Sequence, residues 1–459
     1  MSETLTAEKK PFLTRDRSFY RSLAALAIPI SLQNLITFAV NFADNLMISR
    51  LGDTAVSGVF MGNQMQTFLQ LMLNGVVQTT GILAAQYWGK RDTKTIRQIT
   101  SMSMRIGLIL GFFTMLAALL FPKPLIGLLT GEADVIDAGA EYLTVVAWSF
   151  CFYAAAQVII AALRSVENAR IGMYISFLAL IVNVVLNRVM IFGLGSLPAM
   201  GIRGAALATF ISRVVECGAA ILYARFADHT LCLRLPHFFE KTGSLLLRDF
   251  FRYGLPIIAG EVVWAINTIT QSGILGHFSK SVITASSVIG NLNNLVYIWV
   301  TGLAAAVGVI TGKTVGSGSV EKVKEYARTT QILFLGVGVF TSAVILLIRA
   351  PFISLYSISE EAARYAGQFA LVLSVTMFGS CYQMPCLAGL VKAGGDTAFV
   401  FKNDSFHVFL IVLPSAMLAS RFGMAPWIVF FCLKIDQILK CFVAVVKVNR
   451  YKWIRNLTR

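Results

Sequence analysis

Apolar runs of roughly 20 residues or more, long enough at about 1.5 Å per helical residue to cross a hydrocarbon core of roughly 30 Å, follow one another along the whole chain, separated by short polar connections. They fall at Ser22–Ser49, Ala55–Ala84, Ile99–Phe121, Val135–Leu163, Ile171–Phe192 and Met200–Phe226, then at Leu255–Leu275, Val282–Ile310, Thr329–Ile348, Ala363–Val391, Phe399–Ala419 and Ala425–Val446. The pattern predicts an all-α membrane protein of twelve transmembrane helices. No strand pattern or soluble domain fits the lengths that remain.

The second half of the pattern repeats the first. AIPISLQNLITFAVNFADNLMISRLGD at Ala27 returns as GLPIIAGEVVWAINTITQSGILGHFSK at Gly254, aligning Pro29 with Pro256. GILAAQYWGKRDTKTIRQ at Gly81 aligns with GVITGKTVGSGSVEKVKEY at Gly308, Pro122 with Pro351, and LRSVENAR at Leu163 with VKAGGDTA at Val391. Each half holds six spans, an even number, so both copies enter the bilayer from the same side, as a parallel repeat with a cleft between two lobes. The expected division is a cytoplasmic N-terminal segment 1–21, an N-lobe 22–226, a connection 227–249, a C-lobe 250–447 and a basic tail 448–459. Within the connection, SLLLRDFFRYG reads as an amphipathic helix on the membrane surface.

Composition agrees: 56% of the 459 residues are hydrophobic and 14% charged, where a soluble domain carries about a quarter charged. A net charge of +16 would suggest nucleic acid in a soluble chain, but here the basic residues lie between apolar runs. They gather at the N-terminus (Lys9, Lys10, Arg15, Arg17), in alternate connections that include Lys90, Arg164, Arg170, Arg234, Lys241, Lys313 and Lys392, and in the tail to Arg459. This bias predicts a multi-pass plasma-membrane protein with both termini cytoplasmic. The seven cysteines show no metal-ligand spacing and read as reduced core residues.

Against this background intramembrane charge stands out, because it is costly in hydrocarbon and marks function by default. Asp44 lies in span one and Glu261 in span seven, two acids at related depths in the repeat. Asp404 lies early in span eleven with His407 beyond it. Span twelve carries Asp436 and Lys440, four apart with the acid first, the favoured order for an intrahelical pair. Two acids and a lysine in one bundle can hold a proton or an organic cation by exchanging partners; the competing role for Asp436 and Lys440 is mutual neutralisation for insertion. Phe38, Trp264, Tyr382 and Met384 are candidate pocket-lining residues for planar cations, with packing as the alternative. No phosphate-binding glycine loop, nucleophile with a base partner or zinc spacing is present, so no enzyme and no cofactor are expected, and energy must come from an ion gradient.

The paired AIPISLQN and GLPIIAGE openings, AAQYWGKRD, LRSVENAR, NVVLNRVMIFG at Asn183 and GIRGAALAT at Gly201 together resemble the multidrug and toxic compound extrusion (MATE) family of secondary transporters over nearly the whole chain. The resemblance implies efflux of organic, often cationic, compounds from a V-shaped pair of lobes, driven by inward movement of protons or sodium. It further implies an N-lobe cation site of Asp44, Asn183, Asn187 and Thr209, with Na+ at Asp44, Asn183 and Asn187. One branch of the family carries Asp where Asn187 stands here, so the site has one carboxylate fewer, and a lone Asp44 can instead take a proton. The competing reading has Asp44 capping a loop while the asparagines pack helices. A monomer is expected, with small organic cations and lipid as partners and no nucleic acid. A rival, a lipid-linked oligosaccharide flippase of the same superfamily, would need a broad cationic cavity. A membrane acyltransferase would need a catalytic set that His229, His237, His277 and His407 do not form.

Overall fold

A computed structural model describes residues 13–193, 198–232, 242–356 and 358–458. The predicted basic positions Lys9, Lys10, Arg234, Lys241 and Arg459, and His237, lie outside the described residues. Among the described residues the chain forms twelve helical columns and a short helix, Pro122–Gly127, between the third and fourth. In the first half these are α1 Arg17–Ile48, α2 Asp53–Gly89, α3 Thr93–Leu120, α4 Ala133–Ser165, α5 Ala169–Phe192 and α6 Gly201–Ala227. In the second they are α7 Ser244–Gly276, α8 Lys280–Gly316, α9 Val320–Ser354, α10 Glu360–Val391, α11 (397–421) and α12 (426–449). Among the described residues, nine helices are long and apolar enough to cross a membrane on length and composition alone. The other three are interrupted (α11, α12) or carry Glu261, Asn267 and Gln271 within the apolar run (α7).

The repeat is exact in spacing over its first four helices: starts at 17, 53, 93 and 133 recur at 244, 280, 320 and 360, each 227 residues later. One expectation fails here. SLLLRDFFRYG is not a separate surface helix but the first turns of α7, because Leu246, Phe250 and Ile257 bury themselves in a core that also holds Leu83, Ile159 and Leu163 of the N-lobe.

Prolines account for two of the irregular turns. Pro414 offers no N–H to the turn before it, and α11 widens into a π turn at Val408–Val412. Pro385 likewise opens the π turn Pro385–Val391 that ends α10. α12 breaks between Cys432 and Asp436, and Gln271 of α7 donates to the freed Leu433 carbonyl at 3.3 Å.

Thr14 and Tyr451 lie at one end of the bundle, where Thr14 N–H donates to Thr329 Oγ1 (2.8 Å) and Arg328 Nε to the Tyr451 hydroxyl (3.1 Å), Thr329 and Arg328 both being near the start of α9. There the lobes close on each other through glycines that let backbones touch. A Cβ on Gly316 would stand 1.8 Å from the Gln86 carbonyl oxygen, and one on Gly89 would stand 2.1 Å from that of Lys313. Lys313 Nζ pairs with Glu167 across the same seam (2.8 Å). The C-terminal segment crosses it too. Trp453 is fully buried in the C-lobe, whereas Leu457 enters the N-lobe core and donates its N–H to Gln86 Oε1 (2.8 Å).

Candidate functional site

Polar clusters occupy the interior of both lobes. In the N-lobe, α1 carries Asp44 against α5, whose Asn183 and Asn187 lie one turn apart on the same face and are both buried. Asn187 Nδ2 donates to Asp44 Oδ1 and also to Asn183 Oδ1 (3.1 Å). Asn187 Oδ1 and Asn183 Nδ2 are left buried without a hydrogen-bond partner; the oxygen is open to a cation or a donor, the Nδ2 to an acceptor, and leaving both unmade is costly. Thr209 is buried nearby on α6, but its hydroxyl donates back to the Ala205 carbonyl (3.0 Å). Tyr142 of α4, bonded to Asn63 at 3.0 Å, interacts with Asp44 and Thr209 and went unnoticed in the sequence.

Deeper in the same lobe is a second group that the sequence reading missed. Arg213 and Glu216 of α6 form a buried ion pair at 2.7 Å, with the guanidinium 4.7 Å from the Tyr153 ring centroid and close enough to interact with Asp44. These two line a cavity of about 340 Å³ together with Gln33 and Asn34 of α1 and Gln157 and Arg164 of α4. Their signal was present: an acid three residues after a base inside the apolar run of span six, the same kind of signal that singled out Asp436 and Lys440. Arg164 belongs to a class of basic residues expected at the membrane surface, and its inward turn corrects that expectation. Its Nη2 donates to Gln33 Oε1 at 3.0 Å.

The C-lobe cluster draws on α7, α8, α10, α11 and α12. Lys440 Nζ lies 2.9 Å from Asp404 Oδ1 and 3.0 Å from Asp436 Oδ2, so one lysine serves two carboxylates rather than only its own helix's acid. Tyr297 of α8 lies within electrostatic reach of Lys440, Asp436, Asp404 and Glu261. Glu261 Oε1 accepts from Gln78 Nε2 of α2 (2.7 Å), and Gln78 Oε1 accepts from Lys392 Nζ (2.6 Å). Lys392, like Arg164, is one of the bases expected at the membrane surface and instead points inward. Asp44 and Glu261 do not share a depth: they follow the aligned prolines by 15 and 5 residues, a difference of about 15 Å along a helix.

The remaining candidates are placed as follows. His407 is buried, its Nδ1 2.8 Å from the Asn403 carbonyl one turn back. Tyr382 is buried in the C-lobe core and donates to Gln331 Oε1 (2.9 Å), so it packs rather than lines an opening, and Met384 packs on a neighbouring core. Phe38 stacks on Phe42, and Trp264 is exposed. No group of three or more His, Cys, Asp or Glu suited to a metal exists among the described residues.

The chain is 23% identical to the probable multidrug resistance protein NorM of Chromobacterium violaceum over 411 residues (89% of this chain, 87% of the relative). It is 27% identical to that of Thermotoga maritima over 377 residues (78% and 79%). Its fold superimposes on a crystal structure of the Vibrio cholerae MATE transporter VcmN with a TM-score of 0.86 at 16% identity, covering 94% of this chain and 97% of the other. The MatE family model matches residues 29–189 and again 256–418, one match per half of the repeat and together most of the chain. With these matches laid over two six-helix lobes, the chain belongs to the MatE family of transporters and is a multi-pass membrane protein of the multidrug efflux type.

Proposed function

We propose that this transporter exports organic, cationic compounds in exchange for a proton or sodium ion, with Asp44, Asn183 and Asn187 as the coupling site and both termini in the cytoplasm. The observation that carries this is the Asp44 carboxylate held by Asn187 beside two buried amide atoms that have no partner. A site of one carboxylate and neutral oxygens suits a hard cation. A proton needs least rearrangement, since Asn187 Nδ2 already occupies Asp44 Oδ1 and Asn183 Oδ1. Sodium would require Asn187 to turn its unpartnered Oδ1 toward the ion.

Cation uptake at Asp44 removes the charge that Arg213 and the asparagines answer to, and α1 and α5 then repack. Each ligand has only to prefer a different lobe arrangement for exchange to follow. Proteoliposomes holding a fluorescent organic cation, given either a proton or a sodium gradient, test the proposal. Efflux driven by one gradient is expected; efflux indifferent to both would overturn it.

A further inference from the structure

The two halves of the repeat treat one basic residue differently. Aligning LRSVENAR with VKAGGDTA makes Arg164 and Lys392 equivalent, and the aligned prolines make Asn34 and Glu261 equivalent, each five residues on. In the C-lobe the base and the acid are both present, bridged by the single amide of Gln78 at 2.6 and 2.7 Å. In the N-lobe the base remains but the acid's place is taken by Asn34. Arg164 has a glutamine partner, Gln33, its Nε is buried with no partner at all, and no ion pair among the described residues includes it. The other guanidinium lining this space, Arg213, is neutralised by Glu216. Beside Arg164 is the cavity of about 340 Å³, with Asn34 in its wall.

We propose that this chamber seats the carboxylate of a transported compound on Arg164. A half-buried guanidinium without a counter-charge is costly inside a membrane protein, and its planar fork binds a carboxylate by donating two parallel N–H bonds. Nε together with one Nη is such a fork: the Nε is buried without a partner, and a carboxylate that took the fork would displace the Gln33 Oε1 now held by Nη2. Gln33, whose Nε2 donates to Ser176 Oγ (3.3 Å), and Asn34, whose Nδ2 donates to Thr301 Oγ1 (3.2 Å), line the same cavity. The substrate class is therefore small organic acids and, resting on the cation export proposed above, zwitterions whose amine is left to the acids elsewhere in the cleft. The lobe asymmetry makes this a property of the N-lobe alone: in the C-lobe, Glu261 already fills the equivalent place.

Binding of dansylglycine and of its uncharged methyl ester to the purified full-length protein, read by fluorescence without any ion gradient, tests this. The wild type is expected to bind the acid about tenfold or more tightly than the ester, the effect of one charge-assisted hydrogen-bonded pair. Arg164→Met should remove the preference. Asn34→Glu should remove it as well, by placing a carboxylate where the other lobe has one; it gives up the 3.2 Å bond of Asn34 Nδ2 to Thr301 Oγ1, and ester affinity kept at the wild-type level reports an intact chamber, so a poorly folding Arg164 variant leaves the question decidable. Equal affinity for acid and ester, binding of neither, or an acid preference that survives Asn34→Glu overturns the proposal. Because no gradient is involved, these outcomes are independent of whether Asp44 couples transport.

Discussion

Gln78 of the N-lobe and Glu261 of the C-lobe are joined by a 2.7 Å hydrogen bond, and the same glutamine accepts from Lys392 at 2.6 Å. One neutral side chain thus holds an acid and a base of the opposite lobe. Gln78→Leu strands both charges in the interior, and losing the two charge-assisted bonds should cost about 3 kcal/mol. A lowered Tm together with loosened lobe contact, read as increased spin-label separation between α2 and α7, is expected; an unchanged separation would show that the bridge does not hold the lobes.

The glycine seam between α2 and α8 is expected to tolerate no side chain. A Cβ at Gly316 meets backbone, the Gln86 carbonyl, not the flexible end of a side chain. Gly316→Val should therefore disfavour this closed arrangement by about 1–3 kcal/mol. Its signature is new thiol labelling of Gln86→Cys, compared with the same cysteine in the Gly316 background.

In the C-lobe, Lys440 answers both Asp404 and Asp436. Removing a buried partner costs more than removing a pair, typically about 3–5 kcal/mol. Lys440→Met should lower Tm strongly, and Asp436→Leu added to it should restore part of the loss. A double variant no more stable than the single one would place the cost elsewhere.

Trp453 lies in the C-lobe core while Leu457, four residues on, lies in that of the N-lobe. Trp453→Ala should cost about 3 kcal/mol from lost burial. Leu457→Ala should cost less in Tm yet expose Gln86, detectable as faster amide exchange at residue 457.

Much of this molecule was legible as a sequence. Long apolar runs dictate helices, and the aligned prolines revealed a repeat whose first four helices keep a spacing of 227 residues. Asp44 stands out because charge is rare in such runs, and its grouping with Asn183 and Asn187 is what the family resemblance implies. Arg164 and Lys392 could not be read, since a base near a span end looks the same whether its long side chain reaches outward to headgroups or inward to Gln33 or Gln78. Only packing distinguishes the two. Arg213 and Glu216 were within reach of the rule used for Asp436 and Lys440. Likewise nothing in SLLLRDFFRYG told a surface helix from the opening turns of α7; the N-lobe core that receives Leu246 and Phe250 decides it.

The most direct test of the coupling site compares Asp44→Asn with Glu261→Gln in gradient-driven efflux of a fluorescent organic cation from proteoliposomes. Asp44→Asn is expected to abolish gradient-driven efflux while substrate binding persists, and Glu261→Gln to retain a coupled fraction. Full coupled efflux in Asp44→Asn, with loss in Glu261→Gln, would contradict the account and move coupling to the C-lobe.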